Sequence, residues 1–280
     1  MGSAPQGESE RAQPWCSLVT VTYNSSRTLQ AFWGHADGIP SGIEWIVVDN
    51  ASADDSAAVA ERLGAHVIRL GENRGFSAAN NAGLSAAAGE FIGFVNPDVR
   101  VDFADLRSLN DLAQDEGSLV SPQLLNADGT LQPNGRGYPF LLDKVRNRLG
   151  SNDQLRGSYL LYNDAAEPRP VVWLMGASVF GRREAIDKIG GWDPYFFLYY
   201  EDKDICLRAW RAGVPVLLDA RSTWTHGWAR ETTSLRGTAW KREISSLVKF
   251  YRRYPEFLLT RSRASRKHPV IGHEVYGAVS

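Results

Sequence analysis

An α/β fold, with a mostly parallel sheet flanked by helices and a helical extension at its C-terminal end, is predicted by three features of the sequence. Short runs rich in β-branched and aromatic residues alternate with helical segments, the pattern of right-handed βαβ units. Several runs end abruptly in Asn, Asp or Ser, which gathers polar groups at the sheet edge where ligands bind in open α/β folds. The run EFIGFVNPD at 90–98 is apolar on both faces until Asn96 and Pro97 stop it. It reads as a buried central strand with Asp98 just beyond its carboxyl end. Asn-Pro-Asp is also a common turn sequence, so these residues do not make a site alone.

Taken in order, residues 17–23 form a first strand that runs into Asn24-Ser25-Ser26, a cap for a helix starting near Arg27. A second strand at 43–48 ends in the polar turn 49–55, followed by an alanine-rich helix at 56–63 and a third strand at 66–70. Residues 71–76 open a helix at 77–88 whose small residues, among them Ala79, Ala82 and Gly83, allow it to lie close to the sheet. Asn80 and Asn81 sit near its start, where unpaired N–H groups favour an anion. After the central strand come a helix at 104–114, a short strand near Leu119 and an Asn-Ala-Asp-Gly hairpin turn at 126–129. Periodicity then fails through 133–170, a basic stretch broken by Pro133, Pro139, Pro168 and Pro170, which reads as a mobile loop over the site.

Strand character returns at 171–180, and a helix at 182–189 stops at Gly190-Gly191. An aromatic run, 192–200, delivers Glu201 and Asp202 to the start of a helix ending at Gly213. The helix dipole favours acids there, so capping alone would account for them. A last strand at 214–218 precedes His226 by eight residues. Trp240, Ile244, Leu247, Val248 and Tyr251 recur at helical spacing on a basic helix that Pro255 ends. This apolar stripe suits packing on the domain first and membrane contact second.

Composition sets the outer limits. With 280 residues and 43% hydrophobic content, the chain fits one large soluble α/β domain with additions. No apolar run is long enough to span a bilayer, and the polar stretch 1–14 lacks the apolar centre of a signal peptide, so it reads as a disordered leader. Cys16 and Cys206 are too few for a disulfide framework or a zinc cage, which points to the cytoplasm. The net charge of −1 hides ten Lys or Arg against two Glu between 236 and 268. Nucleic acid, an anionic membrane surface and plain solvation each fit that segment.

The familiar nucleotide signatures are missing. The Gly-x-Gly at 135–137 is followed by Phe140 where the third glycine belongs, and no Gly-Lys pair offers a phosphate loop. Gly176-Ala177-Ser178-Val179-Phe180 lacks the last glycine of a hydrolase elbow. What remains is a set of carboxylates and amides at strand ends: Asp49, Asn73, Asn81, Asn96 and Asp98, then Asp202 and His226. Around them VTYNS at 21–25, VDNAS at 48–52, NRGFSAANNAG at 73–83, NPDV at 96–99 and GGWDPYFFLYYEDKDICLR at 190–208 resemble the family 2 glycosyltransferases of GT-A fold, a Rossmann-like architecture. Within that family the chain most resembles the bacterial rhamnosyltransferase branch, which includes enzymes of actinobacterial cell-wall linker assembly. The resemblance runs in order from about Cys16 to His226, and its specificity lies in the combination.

The resemblance implies a transferase domain at 15–235 and a basic amphipathic helix and tail at 236–280. Thr22, Tyr23, Asn24 and Asn50 would line the donor nucleotide pocket, with Asp49 accepting the pyrimidine ring N–H. Asn73, Gly75 and Asn81 would approach ribose or phosphate, with Asn96 and Pro97 beside them. Asp98 matches the last position of the family's metal-binding acidic motif and His226 its later histidine, so a divalent ion, Mg²⁺ or Mn²⁺, would be shared with the donor diphosphate. Asn96 departs from the commoner Asp-x-Asp form, as it does in the rhamnosyl branch, which implies weak metal affinity without nucleotide. Asp202 matches the general base of an inverting displacement, Glu201 shapes the acceptor pocket, and Trp173 and Gly176 match the acceptor-side strand under the 133–170 loop.

The implied donor is dTDP-L-rhamnose, with a UDP-sugar such as UDP-galactofuranose left open because Asp49 would read uracil and thymine alike. The implied acceptor is a saccharide hydroxyl, polyprenyl-linked, reached by a peripheral protein at the inner face of the plasma membrane in cell-wall or surface polysaccharide synthesis. A soluble acceptor is the alternative. A binding module that has lost turnover is disfavoured by the retention of Asp98, Asp202 and His226 together. Nucleic acid is not an expected partner, because it leaves the carboxylates unexplained.

Overall fold

The computed structural model describes residues 13–34, 38–150, 152–227, 237–258 and 261–277, so most of the expected leader and the domain junction near 235 lie outside the described residues. The chain opens with β1 (Cys16–Thr22), α1 (Ser26–Trp33), β2 (Ile43–Asp49), α2 (Ser56–Arg62), β3 (His66–Arg69), α3 (Phe76–Ala86), β4 (Phe91–Val95) and β5 (Val99–Arg100). Its middle carries α4 (Leu106–Asp115), β6 (Leu119–Leu125), β7 (Gly135–Arg136), α5 (Leu141–Arg148), α6 (Asn152–Leu155), β8 (Leu160–Leu161), β9 (Arg169–Pro170) and β10 (Trp173–Leu174). It continues with β11 (Ser178–Arg182), α7 (Arg183–Ile189), α8 (Glu201–Arg211), β12 (Val216–His226), α9 (Gly237–Arg253), α10 (Arg261–Lys267) and α11 (Pro269–Tyr276).

The main sheet has the order β3-β2-β1-β4-β11-β6-β12-β5, with β9 beside β12. The first four strands run parallel, β11 is antiparallel between β4 and β6, and β6 and β12 are parallel again. Alternate residues of the central strands feed two cores. Val19, Ile46 and Phe94 belong to one, while Leu18, Val47, Phe91 and Val95 belong to the other. Burial on both faces is why these runs read as continuously apolar. The small residues of α3 act as expected, since a β-carbon at Gly83 would run into Val19 and Val48.

Elsewhere the structure departs from the sequence reading. The strand expected at 214–218 continues to His226 as β12, with a bulge between Asp219 and Thr223, so His226 is a strand residue. The strand expected at 171–180 is two: β10 joins a separate sheet with β7 and β8, and β11 joins the main sheet. Residues 133–170 are not irregular throughout. They hold β7, α5, α6 and β8 and bury Tyr138, Tyr159, Leu160 and Leu161. Elements this short carry too few residues for periodicity to show.

The apolar stripe of α9 is also split. Tyr251 is buried and Leu247 packs against the core, while Ile244 and Val248 are exposed; the Trp240 side chain lies outside the described residues. Phe250, Tyr254, Phe257, Ala264 and Ile271 share the core that holds Val19 and Ile46, so the C-terminal helices are built into the domain. Part of the positive segment serves that packing. Arg253 bridges Asp193 and Asp204 at 2.6 and 2.8 Å, and Lys267 meets Glu256 at 2.9 Å.

Candidate active site

β1 and β2 end in register, Thr22 beside Asp49, so their polar termini share one crevice. Both residues are buried. Asp49 Oδ2 accepts from the Ser52 N–H at 3.3 Å, whereas Asp49 Oδ1 and Thr22 Oγ1 have no hydrogen-bond partner among the described residues. A buried polar atom left in that state costs about 1–3 kcal/mol, which a ligand N–H would recover. Asn24, at φ 54°, accepts from the Ala53 N–H at 2.7 Å and ties the two turns together, with Tyr23 exposed beside it.

Asn50 reaches into the next loop. Its Oδ1 accepts from the Arg74 N–H at 2.8 Å, and its Nδ2 donates to Asn73 Oδ1 at 3.1 Å. Asn73 Oδ1 also accepts from the Gly75 N–H at 3.0 Å. Gly75 adopts φ 83°, and a β-carbon there would strike the Phe197 carbonyl. The neighbouring Phe76 N–H donates to that same carbonyl at 2.8 Å. Thus Thr22, Asn24, Asp49, Asn50, Asn73 and Gly75 are brought together. Asn81 is engaged elsewhere: Nδ2 donates to Trp192 O at 2.7 Å and Oδ1 accepts from the Trp192 N–H at 3.0 Å, holding the turn after α7 onto α3.

Asn96 and Pro97 end β4, and the Asn96 N–H donates to Ala177 O at 2.9 Å. The chain then turns into β5, which pairs antiparallel with β12 so that His226 lies opposite Val99. This register sets His226 Nε2 3.4 Å from Asp98 Oδ2. Gln132, which the sequence gave no reason to single out, donates through Nε2 to His226 O at 3.1 Å, while its Oε1 sits 2.8 Å from His226 Nδ1. With the amide oriented this way Nδ1 carries the proton, and the Nε2 lone pair faces a carboxylate. An imidazole nitrogen and a carboxylate oxygen this close can act together as two ligands of one metal ion. Oxygen and imidazole suit Mg²⁺ or Mn²⁺, and no group of three His, Cys, Asp or Glu that could hold a metal forms among the described residues. The pair fits a divalent ion as two of its ligands.

Across the 175–177 turn lies the second charged feature. Tyr199 and Tyr200 both have positive φ, 67° and 73°, immediately before α8. Such conformations cost about 1–3 kcal/mol each and persist where surrounding structure enforces them. Here Tyr200 is buried against Phe250 and Tyr251, and Lys144 Nζ donates to its hydroxyl. The bend turns Glu201 inward and leaves Asp202 partly exposed. Burial first, then the charge of Asp202, pushes the Glu201 carboxyl well above the usual range, and its Oε2 has no partner among the described residues. The two adjacent acids thus sit in different environments, Glu201 buried and Asp202 reachable from the surface.

Lys203 Nζ lies 3.2 Å from Asp202 Oδ1 and 3.8 Å from the centre of the Trp173 ring. Trp173, expected on the acceptor side, is buried, with Nε1 donating to Gly137 O at 2.9 Å and Lys203 covering one face of its ring. Gly176 lies beside the acid: a β-carbon there would be in ordinary contact with Asp202 Cβ, at 3.5 Å. Burial, then the nearby Lys203 charge, pushes the Lys144 ammonium down to about 8. Asn96 and Gly176 thus connect the Asp98–His226 pair to Asp202 through one short turn.

The profile of Glycosyl transferase family 2 matches residues 17–190, more than half of the chain, and that of Glycosyl transferase family group 2 matches residues 142–252. The chain is similar to the low-salt glycan biosynthesis hexosyltransferase Agl10 of Haloferax volcanii, 26% identical over 71% of this chain and 63% of that protein, so it spans less than two thirds of this relative. It is also similar to the N-acetylglucosaminyl-diphospho-decaprenol L-rhamnosyltransferase of Mycobacterium tuberculosis, 27% identical over 70% of each chain. Among solved structures, the mannosyltransferase PcManGT from Pyrobaculum calidifontis in complex with GDP-Man and Mn²⁺ superposes with a TM-score of 0.59 at 18% identity, covering 96% of this chain and 71% of that one. A fragment of S. aureus TarS in complex with UDP-GlcNAc gives 0.57 at 16% identity, covering 94% and 76%. The shared architecture is GT-A.

Proposed function

This chain belongs to glycosyl transferase family 2, and from that premise we propose that it is an inverting, metal-dependent hexosyltransferase that moves L-rhamnose from dTDP-L-rhamnose to a hydroxyl of a lipid-linked saccharide. The observation that carries the reading is the Asp98–His226 pair set one short turn from Asp202. Asp49 and Thr22 hold the pyrimidine through the buried oxygens that lack partners, and the Asn50, Asn73 and Gly75 network shapes the loop beside the ribose and phosphates. Asp98 and His226 would hold the divalent ion. When bound, it offsets the charge that develops on the leaving diphosphate.

Asp202 takes the acceptor proton as that oxygen attacks the anomeric carbon and the bond to the diphosphate breaks. Glu201, neutral by burial, keeps a second negative charge away from the attacking oxygen. Lys203, 3.2 Å from Asp202 Oδ1, orients the Asp202 carboxylate. The cations Lys203 and Arg136 over Trp173, with Lys144 over Tyr200, favour an acceptor that carries phosphate, in keeping with the diphospho-decaprenol acceptor in the name of the mycobacterial relative. We assign the reaction to the inner face of the plasma membrane on the strength of that acceptor. Among the described residues no helix is long and apolar enough to cross a membrane.

A panel of nucleotide sugars tests the proposal by nucleotide release, with Mg²⁺, with Mn²⁺ and with chelator, against lipid-linked and soluble glycosides. Release from dTDP-L-rhamnose that needs both metal and a lipid-linked acceptor is expected. Turnover with UDP-sugars and none with dTDP-L-rhamnose would overturn the donor assignment. Nucleotide binding without any turnover would return the chain to a sugar-nucleotide binding module.

A further inference from the structure

Nine large hydrophobic side chains are exposed among the described residues; four of them lie on two helices and a fifth caps one of these. Leu142, Val145 and Leu149 recur at i, i+3 and i+7 along α5 and its C-cap, one face of the helix, and Leu149 is 79% exposed. Ile244 and Val248 follow the same logic on α9, on the stripe that also contains Tyr251. The Tyr251 hydroxyl donates to Pro139 O at 2.9 Å, just before α5, so this stripe of α9 runs on the side where α5 lies. Glu243 on α9 joins the helices from beneath, meeting Lys144 at 2.9 Å and Arg148 at 3.2 Å on α5. Leaving that many aliphatic side chains in water on a well-packed protein is unusual, because large exposed apolar patches mark contact surfaces.

The rim of this surface is basic. Arg146, 3.8 Å from Asp143, and Arg148, 3.2 Å from Glu243, flank the α5 stripe, and the exposed Lys241 and Arg252 flank that of α9. Aliphatic side chains framed by cations match a lipid surface with anionic headgroups, where the former enter the acyl boundary and the latter meet phosphate. Position strengthens the match. Lys144, on the inner side of α5, donates to the hydroxyl of Tyr200, two residues from Asp202, so α5 lies close to the expected acceptor side. We propose that the exposed faces of α5 and α9 form an interfacial docking surface for an anionic lipid bilayer, which brings the cleft to the headgroup plane. The inference deepens the lipid-linked acceptor reading and rests on it only for its biological use, since docking itself needs no substrate.

The test is cosedimentation of the full chain with vesicles of phosphatidylcholine alone and of phosphatidylcholine mixed with phosphatidylglycerol. The wild type is expected to partition onto the mixed vesicles only, less so at high salt. Combined Leu142→Glu, Val145→Glu and Leu149→Glu substitutions, all at exposed positions, should reduce partitioning tenfold or more, an order-of-magnitude expectation from the apolar burial lost. Lys241→Glu with Arg252→Glu should reduce it by roughly thirtyfold, from about 1 kcal/mol for each cation. Thermal unfolding of each variant confirms that the fold is kept. Binding by the triple variant equal to wild type, binding to neither vesicle by the wild type, or a dimer that the triple variant dissociates would each overturn the proposal. Calorimetry with dTDP and Mn²⁺ runs alongside: vesicle binding without nucleotide binding would defeat the transferase reading and leave the docking surface standing.

Discussion

Glu201 and Asp202 are adjacent in sequence yet occupy different dielectric surroundings, and their chemistry follows from that difference. A carboxyl whose folded pKa is raised keeps a proton that the unfolded chain has already released. Between the ordinary glutamate value and the raised one, the folded state therefore binds more protons, and stability falls as pH climbs through that window. Glu201→Gln removes this slope, so its melting temperature should exceed that of the wild type by a margin that grows across the window. Unfolding followed from about pH 5 to 9 checks it, and parallel curves would sink the burial argument. Asp202→Asn should leave donor affinity intact and reduce turnover by roughly 10²–10⁴, measured with the donor that the panel identifies. These two residues were legible in the sequence because an aromatic run delivers them to a helix start. The cover that Lys203 places over Trp173 was not, since a ring's exposed face depends on a neighbour's rotamer.

At the level of elements, the strand ends were easier to read than the segment between β6 and β10. Asn-Pro after an apolar run stops a strand by sterics and a missing donor, whatever the tertiary context, and Asp98 falls where that rule puts it. β12 escaped because its bulge at Asp219 to Thr223 interrupts the alternation, hiding that His226 continues a strand begun at Val216. Gln132 escaped for another reason: a single amide before a two-residue strand has no pattern to announce it. Its role makes a sharp prediction. Gln132→Leu frees the His226 ring to turn and removes the acceptor for Nδ1, so Mn²⁺ affinity in the presence of dTDP should drop by about 10–100-fold with little change in nucleotide affinity without metal. Calorimetry on the folded variant decides it, and unchanged Mn²⁺ affinity would remove His226 from the metal site.

Taken as a whole, the molecule is tied together by buried charge at its C-terminal side. Asp204, fully buried, accepts from Arg208 at 2.7 Å, Arg253 at 2.8 Å and the Tyr254 hydroxyl at 2.8 Å, so α8, which begins at Glu201 and Asp202, is tied to the end of α9, which carries part of the proposed lipid surface. Composition exposed the positive excess of 236–268 without revealing how much of it points inward, because charge pairing depends on distant partners such as Asp193 and Asp204. At the opposite wall, the Phe76 N–H and the closely fitted Gly75 both meet the Phe197 carbonyl. The loop that would receive the donor phosphates is thereby fastened to the chain that leads, five residues later, to Asp202. Timing follows from that fastening. Occupation of the donor loop steadies the acid before any acceptor arrives, so initial rates should show compulsory order, with the released nucleotide competing against the donor and not against the acceptor. Gly75→Ala, by forcing the two chains apart, should turn that sequence into random addition.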